Sequence, residues 1–172
     1  HHRIQGMINS NKKISPMIIA FPHNQIQILD YNRVLKSKLS IEKIFNIISK
    51  NFIIKKIKNN SKNVKKGNME MYVNHQWYSL KQIKNNNKLD VTTLHENIIS
   101  KIKVNKIEFI SGINGSNILK RLVNSKKFDI AFKLCPTNIS SVMRIADNKR
   151  FMPPKSTWFH PKPLDGLICS EL

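Results

Sequence analysis

The sequence predicts an α+β fold, with a mixed sheet that has hairpins in its first half and alternating strands and helices in its second. Three patterns predict it. Short apolar or alternating runs sit in pairs around turn residues before residue 88: Met17–Phe21 with Gln25–Leu29, and Met69–Val73 with Gln76–Leu80. After residue 89, helical periodicity alternates with strand-like runs at Lys106–Ser111 and Phe128–Leu134. Turn residues, among them Asn74-His75, Gly112 and Gly115, punctuate the boundaries.

Taken in order, Met17 to Phe21 is a continuous apolar run and predicts a buried strand. Pro22-His23-Asn24 predicts a turn, and the alternation of Gln25-Ile26-Gln27-Ile28-Leu29 predicts a returning strand. Ser40 stands where it can cap a helix whose apolar residues Ile41, Ile44, Phe45, Ile47 and Ile48 share one face. Phe52 to Ile57 predicts a strand and the lysine-rich Asn59–Asn68 a loop. A hairpin follows around Asn74-His75. Lys81–Lys88, with its asparagine run, predicts a linker. Asp90 is placed to cap a helix reaching about Ile102, with Val91, Leu94 and Ile98 inward. A helix over Ser116–Asn124 turns Ile118, Leu119, Leu122 and Val123 inward. Thr137 is placed to cap another, to about Asp147, with Ile139, Val142, Met143 and Ala146 inward. Asn148–Leu164 reads as irregular and proline-rich, and Gly166–Cys169 as a short final strand. There is no internal repeat. Residues 1–172 read as one domain or as the C-terminal portion of a longer protein, with a hairpin-rich part, 1–88, and an alternating part, 89–172.

The 172 residues carry a formal net charge of +20, yet only five of the 30 basic residues are arginines: Arg3, Arg33, Arg121, Arg144 and Arg150. Lysine, asparagine and isoleucine dominate, as A- and T-rich codons would make them. The lysines are spread along the chain, which reads as a solvated surface with weak nonspecific attraction for polyanions. No apolar run is long enough to span a bilayer. Cys135 and Cys169 are far apart and lack metal-ligand spacing, which suits a reducing cytoplasm. No metal site and no catalytic triad stands out.

Four segments carry groups suited to chemistry. His1-His2-Arg3 combines two imidazoles and a guanidinium, which can hold an anion or move a proton; equally, it reads as an end segment or tag remnant. Asp30-Tyr31-Asn32-Arg33 places polar groups just after a strand, as a site or as a turn. Ile110–Ser116 holds two glycines between strand and helix, but its spacing matches no phosphate-loop motif and reads as an ordinary turn. In Met152–His160, Pro153-Pro154 stiffens the lead-in to Lys155, Ser156 and Thr157, followed by Trp158, Phe159 and His160. A cation, hydroxyls and a stacking surface suit a phosphate or carboxylate ligand, and the same residues also suit an aromatic wall packed on the core.

Together these segments resemble the C-terminal part of domain-of-unknown-function family 1015. His1-His2-Arg3 resembles the end of its Asp-Gly-His-His-Arg motif. Gln25–Val34 resembles its hairpin strand and following turn, and Leu89–His95 its Leu-Asp-Val-x-x-Leu helix start. Ile107–Gly115 resembles its strand and glycine loop, and Met152–Gly166 its closing Met-Pro-Pro-Lys-Ser-Thr signature. Two departures stand out: Ile4-Gln5-Gly6-Met7 where the family has Tyr-Glu-Thr-Ala, and Pro163 within the final signature. The resemblance implies that an N-terminal half precedes His1. The histidine motif is also similar to one in the ParB and free serine kinase group, where that region handles nucleotide phosphates.

What the resemblance implies is a cytoplasmic protein that binds a nucleotide or phosphorylated small molecule, in the manner of a small-molecule phosphotransferase. His1 and His2 take the catalytic places. Arg3, Lys155, Ser156, Thr157, Trp158 and His160 bind the ligand, and Asp30, Asn32 and Arg33 are secondary. A nucleotide ligand would bring Mg2+ with it. The competing readings are a noncatalytic ParB-like nucleic-acid module and a scaffold whose chemistry lies in the N-terminal half.

Overall fold

The computed structural model describes residues 19–84 and 88–162. A six-stranded sheet organises them, in the order β3-β5-β4-β7-β2-β6, and a two-stranded ribbon pairs β1 with β8. The strands are β1 (Gln27–Leu29), β2 (Tyr31–Ser37), β3 (Phe52–Ile57), β4 (Asn68–Val73), β5 (Gln76–Gln82), β6 (Val104–Ser111), β7 (Ile130–Lys133) and β8 (Trp158–His160). The helices are α1 (Ile41–Ser49), α2 (Asp90–Asn97), α3 (Asn117–Asn124) and α4 (Ile139–Asp147). The class is α+β. Although helices alternate with strands in the second half, every pairing is antiparallel. Strands from either side of residue 88 lie side by side, with β7 between β4 and β2.

Side-chain alternation along the strands gives the sheet two apolar faces. Leu35, Met71, Leu80 and Phe132 point to one, where α1 brings Ile44 and Ile48 and α2 brings Leu94. Val34, Tyr72, Trp77 and Ala131 point to the other, where α3 brings Leu119 and Val123. The central strands are buried almost throughout because both of their faces are covered. The β4–β5 turn has Asn74 and His75 at φ 47° and 61°, the geometry that matches the twist of a two-residue hairpin.

Several elements differ from what the sequence predicts. Met17–Phe21 does not make a buried strand within the described residues: Ile19 and Phe21 are exposed, and Met17 and Ile18 lie outside them. His23–Gln25 is a 3-10 turn, and β1 pairs instead with β8, from the stretch that reads as irregular. Tyr31–Arg33 is not a turn after a strand but the start of β2. The α2 helix ends early and is followed by a 3-10 turn, Ile99–Lys101. Thr137 is not a cap: Asn138 accepts from the Ser141 N–H at 2.7 Å, while Thr137 Oγ1 donates to the Ser156 carbonyl at 3.0 Å. Capping α4 at Asn138 turns Ser141 inward and leaves Met143 and Ala146 exposed. The predicted strand Gly166–Cys169 lies outside the described residues.

Asp90 also differs. It is the first residue of α2 rather than its cap. Its carboxylate accepts from the Gly67 N–H at 3.1 and 3.2 Å and from Gln82 Nε2 at 3.2 Å, tying the loop before β4 to the end of β5. Burial pushes its carboxyl up to about 6 from 3.8, against the opposing hydrogen bond from Gly67 and the nearby charge of Lys66. A carboxyl raised in the folded state binds protons there more tightly than in the unfolded chain. Its contribution to stability is therefore greatest below about pH 4 and is lost as pH rises to about 6. Asp90→Asn, which keeps an acceptor for Gly67, should melt higher than the parent at pH 7.5. It should also remove the loss of stability between pH 4 and 6; thermal melts across that range check both.

Candidate functional site

The chain leaves the β1–β8 ribbon and enters the main sheet at Asp30. The Asp30 carbonyl accepts from the Gly112 N–H at 2.8 Å, which extends the β2–β6 ladder by one bond. A Cβ on Gly112 would lie 2.0 Å from Asp30 Oδ1, so glycine is the residue that lets the carboxylate stay where it is. Asp30 Oδ2 is buried and has no hydrogen-bond partner.

Arg33 is 2% exposed, unusual for a guanidinium without a carboxylate. Among the described residues no ion pair reaches it. Instead it donates through Nη1 to the Tyr31 carbonyl and through Nη2 to the Lys155 carbonyl at 2.8 Å. Its Cζ lies 4.8 Å from the centre of the Phe109 ring, directly opposite it in the β2–β6 register. Burial lowers its pKa from 12.5 to about 10, so it keeps its charge at neutral pH.

The Met152–His160 segment closes over this end of β2. Lys155 adopts a left-handed backbone, φ 57°, which turns its carbonyl to Arg33 while its exposed Nζ sits 5.6 Å from the Tyr31 ring centre. Ser156 is buried and donates its hydroxyl to the Pro153 carbonyl, so its side chain supports the turn instead of facing a ligand. Thr157 is half-buried. Trp158 meets Tyr31 edge-on at 5.3 Å, its indole N–H is buried without a partner, and Lys162 Nζ lies 3.7 Å from its ring centre.

The sequence-predicted residues thus divide. Arg33, Lys155 and Trp158 gather at one corner around Tyr31. Asp30 precedes β2 with its carboxylate against Gly112, and among the described residues no contact joins it to Arg33 or Lys155. Asn32 points to the other face of the sheet, where Oδ1 accepts from the buried Leu134 N–H at 3.0 Å. His160 is exposed two residues further along β8, opposite Gln27. His1, His2 and Arg3 lie outside the described residues. Sequence reasoning missed Phe109 and Lys162 as parts of the corner. The glycine loop was visible as a motif, but its closeness to Asp30 depends on the β2–β6 pairing.

Other chemistry has less support. Among the described residues no three His, Cys, Asp or Glu side chains gather as metal ligands. Burial, with Asp90 and Asp30 nearby, pushes the Cys135 thiol up to about 11, which disfavours a reactive thiolate. No helix among the described residues is long and apolar enough to cross a membrane.

Fold and corner together define an antiparallel α+β protein with a cationic, aromatic corner where its ribbon meets its sheet. Residues 1–105 match the model of a family described as "Protein of unknown function (DUF1015)", and the chain belongs to that family. The match ends before the glycine loop and the closing signature. No curated protein matches. Two solved structures, both of a mutant free serine kinase, share the fold. The complex with AMP aligns at a TM-score of 0.60 and 15% identity, and that with ADP at 0.57 and 16%. Each alignment covers 92% of this chain and 64% of the kinase chain, so this chain spans just under two thirds of the length of those structures.

The Gly112–Asp30 contact is open to a double-mutant test. Gly112→Ala should cost about 1–3 kcal/mol, as overpacking does. Adding Asp30→Ala should recover most of that loss, because the atom in the way is gone. Chemical denaturation of the two single variants and the double variant measures the coupling.

Proposed function

We propose that this protein binds a nucleotide or a phosphorylated small molecule at the corner around Arg33 and Lys155, and that it acts as a small-molecule phosphotransferase in the cytoplasm. The observation that carries this reading is the buried Arg33 guanidinium. It has no carboxylate partner among the described residues, and it is bonded to the carbonyl of the residue whose ammonium projects from the corner. A buried cation of this kind favours an anion, and phosphate provides one that accepts charge-assisted hydrogen bonds. The shared fold with nucleotide-bound free serine kinase structures supports the choice of a nucleotide.

In this reading Lys155 neutralises phosphate charge, Trp158 offers a stacking face and Thr157 orients the ligand. Arg3 adds a phosphate contact, and His1 or His2 relays a proton. Magnesium accompanies a nucleoside triphosphate. Ser156 and Asn32 hold the framework and leave the ligand to others.

The nucleic-acid reading has less support. The described lysines occupy several surfaces: Lys36 and Lys126 line one cavity, Lys66 and Lys81 another, and Lys155 and Lys162 stand over aromatic rings at the corner. A strand-binding groove would gather them on one track with aromatics between them.

With nucleoside triphosphate and magnesium at about 100 times Kd, binding should raise the melting temperature by about 5–10 °C. Lys155→Ala should remove most of that rise while leaving the ligand-free melt within about 2 °C of the parent, as surface changes do, and Arg3→Ala should remove most of the rise as well. No rise with any nucleoside triphosphate would overturn the reading.

A further inference from the structure

The opposite end of β2 opens onto a concavity of about 470 Å³, within the range of small-molecule sites. Four separate pieces of chain wall it: the end of β2, the entry to α1, the β4–β5 turn and the loop between α3 and β7. None of its lining residues belongs to the Arg33 corner.

Lys36 and Lys126 both line the cavity, so two cations border one small volume. Ser40 makes no side-chain bond to the first turn of α1, so the leading amides of that helix are not capped by its hydroxyl. The Tyr72 hydroxyl donates to Asn124 Oδ1 at 3.0 Å, which fixes the amide and commits its NH2 to the role of donor. One acidic side chain, Asp129, sits among these groups. Its Oδ2 accepts from the Ser37 N–H at 2.9 Å, which anchors the carboxylate and leaves Oδ1 to accept from something else.

Two lysines and a helix start suit a phosphate. A fixed carboxylate beside them suits an amine or hydroxyl on the same molecule. We propose that this cavity is a second site, separate from the Arg33 corner, for a small phosphorylated compound carrying an amine or hydroxyl. Its phosphate is held by Lys36, Lys126 and the leading amides of α1. Its amine or hydroxyl donates to Asp129. The cavity comes from the packing of loops around one end of the sheet, and it stands whether or not the corner takes a nucleotide.

The test titrates the full chain with inorganic phosphate, phosphoethanolamine and ethanolamine, by calorimetry and by amide chemical shifts. Phosphoethanolamine should bind saturably and more tightly than either fragment, with the largest shifts in Lys36–Lys43 and Asn124–Asp129. Lys36→Gln combined with Lys126→Gln should weaken it by about tenfold or more, the size expected for losing charge-assisted contacts. Asp129→Asn, which keeps the acceptor for Ser37, should abolish the preference over inorganic phosphate. An unchanged melting temperature confirms that these variants fold. Three results would overturn the proposal: no saturable binding, an equal loss on changing the distant Lys55 and Lys56 to Gln, or loss of binding in Lys155→Gln, which would place the ligand at the other corner.

Discussion

A buried guanidinium held by two backbone carbonyls connects the parts of this molecule that are far apart in sequence. Arg33 belongs to β2, and its two carbonyl partners are Tyr31, on the same strand, and Lys155, more than a hundred residues later. Removing such a charge from water is costly, and two neutral carbonyls and the Phe109 ring offset that cost only in part. The residual positive potential is what the proposed anion would answer, and the same hydrogen bonds fix the turn that presents Lys155. The Ser156 hydroxyl and the Thr137 hydroxyl secure that turn from within, so the exposed lysine projects from a rigid base.

The same strand also defines the other end of the molecule. Beyond Arg33, β2 runs between β7 and β6, and Val34 and Leu35 enter the two opposite cores. It ends at Ser37, whose N–H is bonded to Asp129, while the Asp129 N–H bonds back to the Leu35 carbonyl at 2.9 Å. These two bonds shape the wall of the cavity at that end. A perturbation of β2 is therefore felt at both the corner and the cavity, although no residue is shared between them.

Local pattern made most of the fold legible. The face of α1, the strand β3, the β4–β5 hairpin and the α3 helix follow from periodicity and turn chemistry that hold without tertiary help. The errors fall where long-range pairing decides. Gln27–Leu29 alternates like a hairpin strand, but its partner is Trp158–His160, across most of the chain. Tyr31-Asn32-Arg33 looks like a polar turn because nothing local reveals that Asn32 caps a buried amide or that Arg33 lies under a distant loop. Asp90 and Thr137 look like helix caps, yet both side chains bind elsewhere. For the site, Lys155 and Trp158 were visible as a motif and Arg33 as part of a polar cluster, while the bond that joins Arg33 to Lys155 was not. Ser156 shows the opposite limit, since a hydroxyl beside a cation reads as a ligand contact when it is in fact internal.

The central claim is that Arg33 holds the Lys155 turn against β2. Native-state hydrogen exchange on Arg33→Met, a change that keeps much of the side-chain volume and removes the donors, tests it directly. The account predicts that amides from Lys155 to His160 lose protection by about tenfold or more, the effect of removing a charged hydrogen bond, while those of the β4–β5 hairpin stay near parent values. Unchanged protection across Lys155–His160 would contradict it.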